Sequence, residues 1–366
     1  MKSLVIVQPY VPRYRVEFFE RLHRSLREHN IDMKVAAARP DGAMASRGDA
    51  GGGSWMVPIE TRVLRLAGRT LVLGGSQDAW READGVIVPP QGTSIDTFRA
   101  LRARRRGQLK VGLWGHVRDY VSKGNAVDQA LERFQLRRAD QVFAYTPGGT
   151  KYAVSVGIPA ERVTTVMNSV DTDALEGAVA SLSDESVIDF VGTNGLIPGH
   201  VVAFVGGLDE SKRIDFLAEA LDFLYRIDPT VKLLLGGQGS SRSLLSVAVA
   251  RGQVLELGHV GPDRMALIGR VAAALLMPGR IGLVAVDAMA LGLPIITTDW
   301  PYHAPEAEYL TPGRNRFDAP DDPEQFALFV AKFLAERRSP TANVSYPTLN
   351  QMVSNFSAGV VRMFRE

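Results

Sequence analysis

The chain has 366 residues, of which 46% are hydrophobic and 22% charged, and it contains no cysteine. This length suggests two domains, each large enough to bury its own core. The missing cysteines exclude disulfides and thiolate metal sites, so we expect a reducing cytoplasm. The net charge is +2, with a basic first half and an acidic second half, which suits an anionic ligand or surface on one side but agrees equally with surface drift. No apolar run approaches the length of a membrane span.

Residues 1–37 are predicted to form a strand, a helix and a second strand. Leu4 to Val7 is the first strand, the amphipathic helix has the sequence VEFFERLHRSLREH, and Ile31 to Ala37 is the next strand. The turn after the first strand lacks the G-x-G-x-x-G pattern, which counts against a dinucleotide-dependent oxidoreductase. The turn is instead the loop QPYVPRYR. It is either a stiff proline loop whose arginines are solvated, or a loop that takes part in ligand binding.

The rest of the first half alternates strands with helices, which predicts a parallel sheet. His116 follows the strand Leu109 to Trp114, at the edge of the sheet where ligands bind in such folds, although a structural histidine is also compatible with the pattern. The helix Thr97 to Arg106 ends in an arginine cluster that is either a solvated face or a contact for acidic lipid headgroups or an anionic acceptor. Nucleic acid is disfavoured because no aromatic residues interleave the cluster.

A linker, Leu175 to His200, is predicted between the two halves. Asp171-Thr172-Asp173 just before it matches the Asp-x-Asp metal motif only superficially, and its position favours a linker or helix cap. The second domain begins with the strand Val201 to Val205, and its glycine turns follow predicted strands. The tail from Leu349 to Phe364 is apolar at helical spacing.

The stretch from Met277 to Glu306 has the pattern of an anion pocket. A buried strand ends near Met277, a glycine-rich loop follows, and a helix is predicted to begin near Gly282. Free amides and the positive end of the helix dipole would then converge on one place, at Gly282-Leu283-Val284. Asp287 lies one to two turns into this helix, where its carboxylate can reach a ribose beside the anion. The pattern therefore fits a sugar nucleotide, although an ordinary βαβ crossover has a similar sequence.

Three runs in this half carry a family resemblance. Gly282-Leu283, Asp287-Ala288-Met289-Ala290 and Gly292-Leu293-Pro294-Ile295-Ile296 resemble the donor-site signature of the group-1, family-four glycosyltransferases. The resemblance implies the GT-B fold, an α/β architecture of two doubly wound Rossmann-like domains facing across a cleft. It places an N-terminal acceptor-side domain at 1–180 and a donor-binding domain at 198–345, with the helix at about 346–366 crossing back onto the first domain.

The resemblance also implies roles for individual residues. Lys212 matches the phosphate-contacting lysine, while Gly207 stands where the family has a phosphate-binding arginine, so Arg213 and Arg280 are candidate replacements. His116, Lys212 and Arg213 are the expected catalytic residues, and Tyr10, Arg13, Arg15 and His116 the expected acceptor-side residues. The expected donor-binding residues are Gly206, Gly207, Lys212, Gly237, His259, Val260, Gly279, Arg280, Ile281, Gly282, Leu283, Val284 and Asp287.

One departure concerns the transferred sugar. The family has a glutamate where this chain has Gly279, so we expect a pocket that gains space and loses a negative charge. A modified donor sugar would suit it, unless His303 or Glu306 supplies the missing contact.

The function implied by the resemblance is transfer of a sugar from a nucleoside-diphosphate sugar to an acceptor, with retention at the anomeric carbon and without a metal or cofactor. The acceptor would be a glycan, a lipid-linked molecule or a small molecule. We expect a cytoplasmic protein, with the inner face of the membrane as a site of peripheral contact. A sugar-nucleotide epimerase of the same fold and a non-catalytic sugar-nucleotide-binding protein are the alternatives.

Overall fold

The computed structural model describes residues 1–40, 45, 48–60, 62–66, 69–118, 120, 126–336 and 344–365. The chain divides into two compact units. The first comprises Met1–Ala45, Asp49–Val170 and Pro347–Glu366, and the second comprises Ser46–Gly48 and Asp171–Tyr346. No helix among the described residues is long and apolar enough to cross a bilayer.

The first unit is built from parallel strands with helices between them. Its strands are β1 Lys2–Gln8, β2 Ile31–Ala37, β3 Met56–Pro58, β4 Arg62–Leu66, β5 Arg69–Gly74, β6 Gly85–Val88, β7 Lys110–Gly115, β8 Gln141–Ala144 and β9 Val163–Thr165. Its helices are α1 Val16–Glu28, α2 Gln77–Trp80, α3 Ile95–Arg105, α4 Ala126–Arg138 and α5 Pro147–Ser155. Within the described residues, seven strands form one sheet in the order β3-β2-β1-β6-β7-β8-β9, and β4 pairs antiparallel with β5.

The second unit repeats this plan. Its helices are α6 Thr172–Ser181, α7 Asp184–Thr193, α8 Ile214–Ile227, α9 Ser246–Ala250, α10 Pro262–Val271, α11 Val284–Ala290 and α12 Pro323–Ala335. Its strands are β10 Val201–Val205, β11 Lys232–Gly236, β12 Val254–Gly258, β13 Leu275–Leu276, β14 Ile295–Thr297 and β15 Arg316–Asp318. In the part of the chain that is described, they form one parallel sheet in the order β12-β11-β10-β13-β14-β15. The α/β class and the two parallel sheets predicted from the sequence are therefore confirmed.

Apolar spacing explains the layers. In α1 the residues that face the sheet, Phe18, Phe19, Leu22 and Leu26, are at most 1% exposed, and each contributes roughly 1.5–3 kcal/mol by leaving water. The last helix, α13 Leu349–Arg365, belongs to the first unit. Its Phe356 stacks on the β8 side chain Phe143 at 4.5 Å between ring centroids, so the tail of the chain completes the core of the first unit.

The predicted linker is wrong. Residues 172–193 form α6 and α7 in the second unit, so the first unit ends at Val170 and not at residue 180. Each helix is started by a side-chain cap: Asp171 accepts from the Ala174 amide at 3.2 Å and Ser183 from the Ser186 amide at 3.2 Å. The cap predicted for Asp171 is thus confirmed. Residues 337–343 of the predicted second domain lie outside the described residues.

The order of the strands indicates at which edge of each sheet a ligand binds. In each sheet the chain winds outward in both directions from a central pair, β1 with β6 in the first unit and β10 with β13 in the second. Loops that follow the carboxyl ends of such a pair diverge and leave a crevice. In the second unit these loops are residues 206–213 and 277–283, the predicted donor-binding segments.

Candidate functional site

The loop after β13 is clasped on both sides by main-chain and side-chain bonds. On one side the Arg280 amide donates to the Ser211 carbonyl at 2.9 Å, and the Lys212 ammonium donates to the Arg280 carbonyl. On the other side the Ala304 amide donates to the Ile281 carbonyl at 2.9 Å. The structure therefore brings the segments of Lys212 and Arg280 together in one fixed arrangement.

His303 holds the same loop with its ring. Its Nδ1 lies 3.1 Å from the Ile281 amide nitrogen, so Nδ1 accepts a hydrogen bond and the ring proton is on Nε2. Burial, with smaller contributions from nearby Arg316 and Lys212, lowers the pKa of His303 to about 4. A backbone hydrogen bond at Thr298 opposes that lowering. His303 is a neutral structural residue that shapes the donor loop, and its ring is already engaged with the main chain rather than replacing a sugar-binding carboxylate.

Gly279 has no open space beside it. A Cβ at this position would lie 2.5 Å from the Lys212 carbonyl carbon and 2.7 Å from the Ser211 carbonyl oxygen. Both are main-chain atoms that cannot swing aside, so only glycine allows the two loops to approach this closely. The expectation of an enlarged sugar pocket at Gly279 is wrong, because the backbone of residues 211–212 fills the volume.

Arg213 is bonded into the framework of its unit. Its guanidinium donates to the Pro278 carbonyl at 3.4 Å and pairs with the Asp321 carboxylate. It also lies over the rings of Phe216 and Trp300, at 4.3 and 4.8 Å from their centroids. These contacts engage the guanidinium, and the catalytic role expected for Arg213 stays a prediction. The sequence offered no signal for its hydrogen-bond partners, which lie far along the chain.

Arg280 and Gly207 remain beside the site. Arg280 is half-buried, and its Nε donates to the Tyr302 carbonyl at 3.3 Å. Gly207 follows Gly206, which has φ +157° at the end of β10. Replacement of the missing phosphate-binding guanidinium by Arg280 stays a prediction.

Glycines also bring the neighbouring turns into contact. A Cβ on Gly237 would lie 1.8 Å from the Gly206 carbonyl oxygen, and the Gly237 amide donates to the Gly258 carbonyl at 2.7 Å. Val260 packs on Gly236, and the exposed His259 carbonyl accepts from Arg264 at 3.2 Å. The turns after β10, β11 and β12 are thus packed main chain to main chain, which places the predicted nucleotide-binding backbone at one edge of the sheet.

The helix after the donor loop begins at Val284, two residues later than its predicted start near Gly282. It is short, and the amides of Ala285 and Val286 in its first turn donate to the carbonyls of Gly282 and Leu283, both at 2.9 Å. Asp287 is in this first turn and is half-buried. Burial alone raises the pKa of Asp287 to about 7. An acid of this kind gains from a ligand that donates hydrogen bonds to it.

The acceptor-side residues divide into two kinds. Arg13 is exposed, and the Tyr10 hydroxyl lies 3.4 Å from each carboxylate oxygen of Asp49. Arg15 is only 6% exposed and its guanidinium is bonded within the first unit. Its assignment to the acceptor side is therefore wrong: it points into the core.

His116 lies just after β7 and is half-buried. Its ring meets those of Tyr145 and Tyr120 edge to face, at 5.1 and 6.0 Å between centroids. The next residue, Val117, has φ +69°, an outlier for a β-branched residue and a form of strain that often accompanies functional sites. Position and strain agree with a binding role for His116, which stays a prediction.

Comparison with known proteins identifies the second unit. Residues 199–336 match the family model described as glycosyl transferases group 1. The second unit therefore carries a group-1 glycosyltransferase domain, and the chain has the GT-B fold. No curated protein sequence is significantly similar to it.

Solved structures of this glycosyltransferase fold span the full chain. A glycosyltransferase from Rickettsia africae has a TM-score of 0.68 at 11% identity, covering 100% of this chain and 99% of its own. HepE from Anabaena, solved with UDP and glucose, has a TM-score of 0.62 at 15% identity, with coverages of 100% and 98%. A UDP-GlcNAc 2-epimerase from Methanocaldococcus jannaschii has a TM-score of 0.60 at 14% identity, with coverages of 99% and 99%. At these identities the likeness shows the fold alone.

Proposed function

We propose that the enzyme transfers a sugar from a nucleoside-diphosphate donor to an acceptor, with retention at the anomeric carbon and without a metal ion. The observation that carries this proposal is the group-1 domain at 199–336, in which Lys212 and Asp287 flank the clasped loop at the switch point of the sheet. HepE, a structural neighbour, has been solved with UDP-glucose, which supports a nucleotide-sugar donor for this chain.

The diphosphate is assigned to Lys212 and to the amides before α11. The Lys212 ammonium is a positively charged donor that its bond to the Arg280 carbonyl holds against the donor loop, which is the kind of group that binds a phosphate oxygen. Negative charge develops on the diphosphate as the glycosidic bond breaks, and fixed donors aimed at that charge stabilise the transition state. In this proposal Lys212 and the amides supply the electrostatic stabilisation that a metal ion supplies in other enzymes.

The ribose is assigned to Asp287. Two adjacent hydroxyls can donate to one carboxylate, which restores the hydrogen bonds that burial denies the empty site. Because burial raises the pKa of Asp287 to about 7, the ionised form is the better acceptor and ligand binding would release a proton near neutral pH.

The acceptor is assigned to the carboxyl edge of the first unit, where His116, Tyr10 and Arg13 lie on loops after β7 and β1. A glycan, a lipid-linked molecule and a small molecule remain the acceptor classes. We place the reaction in the cytoplasm. Arg102, Arg105 and Arg106 are exposed at the end of α3, whereas Arg104 pairs with Asp140 at 2.8 Å, so the first three would provide contact with anionic lipid.

Epimerisation of a sugar nucleotide is the second candidate. It is favoured by the similarity to UDP-GlcNAc 2-epimerases, with TM-scores of 0.60 and 0.65. Both candidates bind the nucleotide in the same way but differ in what happens to the sugar.

One assay separates these candidates. The protein is incubated with a panel of nucleotide sugars and candidate acceptors, with and without EDTA, and the products are followed by proton NMR. Transfer predicts free nucleoside diphosphate and a product with the donor's anomeric configuration, unaffected by EDTA. An epimerised donor without an acceptor product would overturn the proposal, and so would an inverted product or a requirement for metal.

A further inference from the structure

Arg15 is a buried cation without an acidic partner. Its guanidinium donates to Asn168 Oδ1 at 2.5 Å and to the Ser169 carbonyl at 3.4 Å. It lies over three aromatic rings at 5.2 to 5.7 Å, those of Tyr14, Phe18 and Trp114. No carboxylate among the described residues bonds to it, although buried charges usually have one. A buried arginine of this kind has a structural role, and the residues that it bonds to indicate which part of the chain it holds.

The bonds of Arg15 meet the two segments that connect the first unit to residues Asp171–Tyr346 of the second. Asn168 and Ser169 are among the last residues of the first unit before the chain enters the second at Asp171, and the chain returns at Pro347. Ser169 Oγ donates to the Pro347 carbonyl at 2.7 Å. The Sδ of Met352, on the returning helix, accepts from Arg15 and from the Ser169 amide, both at 3.4 Å. The outgoing and returning segments are thus tied together inside the first unit.

A second set of bonds fixes the same connections in the second unit. The Asp171 carboxylate caps α6 through the Ala174 amide. The Tyr346 hydroxyl donates to Glu176 on α6 at 2.7 Å. Burial, followed by the bond to Glu176, raises the pKa of Tyr346 to about 12, so the phenol stays protonated and able to donate at neutral pH.

Little backbone freedom is left between these two sets of bonds. On the outgoing segment it lies at Val170 and Asp171, and on the returning segment at Tyr346 and Pro347. The ring of Pro347 fixes its own φ and restricts Tyr346 before it. A few residues of this kind can absorb the motion of a domain hinge.

We propose that Arg15 is a positioning residue that locks both connections onto the first unit, so that movement of the second unit is confined to Val170–Asp171 and Tyr346–Pro347. This goes beyond the proposed function and holds whatever sugar is transferred. Loss of the guanidinium would release residues 168–170 and lengthen the flexible part of both connections.

The test measures the distance between spin labels, one in each unit. The chain has no cysteine, so labels attach only at introduced sites, Glu28→Cys on α1 and Glu185→Cys on α7. We expect Arg15→Met to broaden the distance distribution. Arg24→Met is the matched control, because the Arg24 side chain is 71% exposed on α1, the helix that follows Arg15, and it should leave the distribution unchanged. An unchanged distribution in Arg15→Met would overturn the proposal.

Hydrogen exchange localises the effect. In Arg15→Met the amides of residues 168–170 should exchange roughly tenfold faster or more, the factor for one lost hydrogen bond to a charged group, while β10 exchanges as in the native protein. Uniform acceleration throughout the first unit would show a general loss of stability and contradict the positioning role.

Two further variants keep the test valid if Arg15→Met fails to fold. Ser169→Ala removes the bond to Pro347 without unpairing a charge, and Tyr346→Phe removes the bond to Glu176. Both should broaden the same distribution, because each frees one connection. Native distributions in both variants would overturn the proposal.

Discussion

The carboxyl edges of the two sheets use their basic residues differently. In the second unit Lys212 and Arg280 remain half-buried beside a loop that is fixed by main-chain bonds, and the ammonium bonds to a carbonyl of that loop. In the first unit Arg15 lies in a loop at the equivalent edge but is withdrawn into the core. A position at the edge of the sheet therefore does not decide by itself whether a basic side chain faces outward: Arg15 is bonded into the core, while Lys212 and Arg280 stay half-buried at the loop.

Two arginines illustrate the same lesson from opposite units. Arg15 and Arg213 both follow the first strand of their sheets, and both have their guanidinium on carbonyl oxygens and aromatic rings. Arginine suits this task because its planar group combines several donors with a stacking face. Lysine has no such face, which agrees with the assignment of the diphosphate to Lys212.

The largest expected effect concerns Lys212. Lys212→Ala should lower turnover by roughly a hundredfold, about 3 kcal/mol, because it removes one fixed donor from the developing charge. Steady-state kinetics measure this, with Lys332→Ala as the control because Lys332 is exposed on α12. Native kinetics in Lys212→Ala would show that Lys212 does not contact the diphosphate, and would contradict the proposed difference between Lys212 and the buried Arg15.

Gly279→Ala tests the close approach of the two donor-side loops. Because its Cβ would meet main-chain atoms at 2.5 and 2.7 Å, we expect the free energy of unfolding to fall by about 1–3 kcal/mol. Gly177→Ala is the matched control: it lies in α6 with no heavy atom within 4 Å of the added Cβ, and should be neutral or stabilising. Chemical denaturation of both variants gives the comparison, and equal stabilities would contradict the described contact.

Asp287 should make nucleotide binding depend on pH. Burial raises its pKa to about 7, above the ordinary value for an aspartate, so in the absence of nucleotide the Asp287 carboxyl group is protonated below that pH. Since ribose hydroxyls favour the ionised form, the affinity for UDP or GDP should rise with pH up to about 7 and then level off. Calorimetry on Asp287→Asn should give weaker binding with a flat profile, whereas a pH-dependent profile in that variant would assign the titration to another group.

The smallest expected effect concerns His303. Its pKa is lowered to about 4, below that of an unfolded histidine, so the stability from its neutral ring is present above about pH 6.5 and lost as pH falls toward 4. His303→Ala should lower the free energy of unfolding by about 1 kcal/mol through the lost bond to the Ile281 amide. Denaturation at pH 8 and pH 5 checks both statements, and a native protein equally stable at the two pH values would argue against the neutral ring.

Much of the fold was predictable because its strands are apolar runs bounded by turns. The strands Ile31–Ala37 and Val201–Val205 lie where the sequence predicts them. The two helices at residues 172–193 were not predicted, because the glycines nearby suggested a linker and α7 buries no residue completely. Asp171 and Ser183, which cap these helices, are the local signal that predicts helix starts at 172 and 184.

Sequence motifs predicted the donor segments better than the roles of single side chains. The position of Gly279 follows from the motif, but the Ser211–Lys212 backbone beside it depends on how two distant loops pack. The hydrogen-bond partners of Arg15 and Arg213 likewise come from segments more than 60 residues away. Pairings of this kind have no local periodicity, so single-sequence reasoning could not find them.

We propose the clasped loop of the second unit as the donor site, and hydrogen exchange with and without UDP or GDP tests this assignment directly. We expect protection at residues 212 and 281–284 on nucleotide binding, and loss of that protection in Asp287→Asn, with residues 168–170 of the first unit unchanged. Protection confined to other segments, or full protection at 281–284 in the variant, would contradict it.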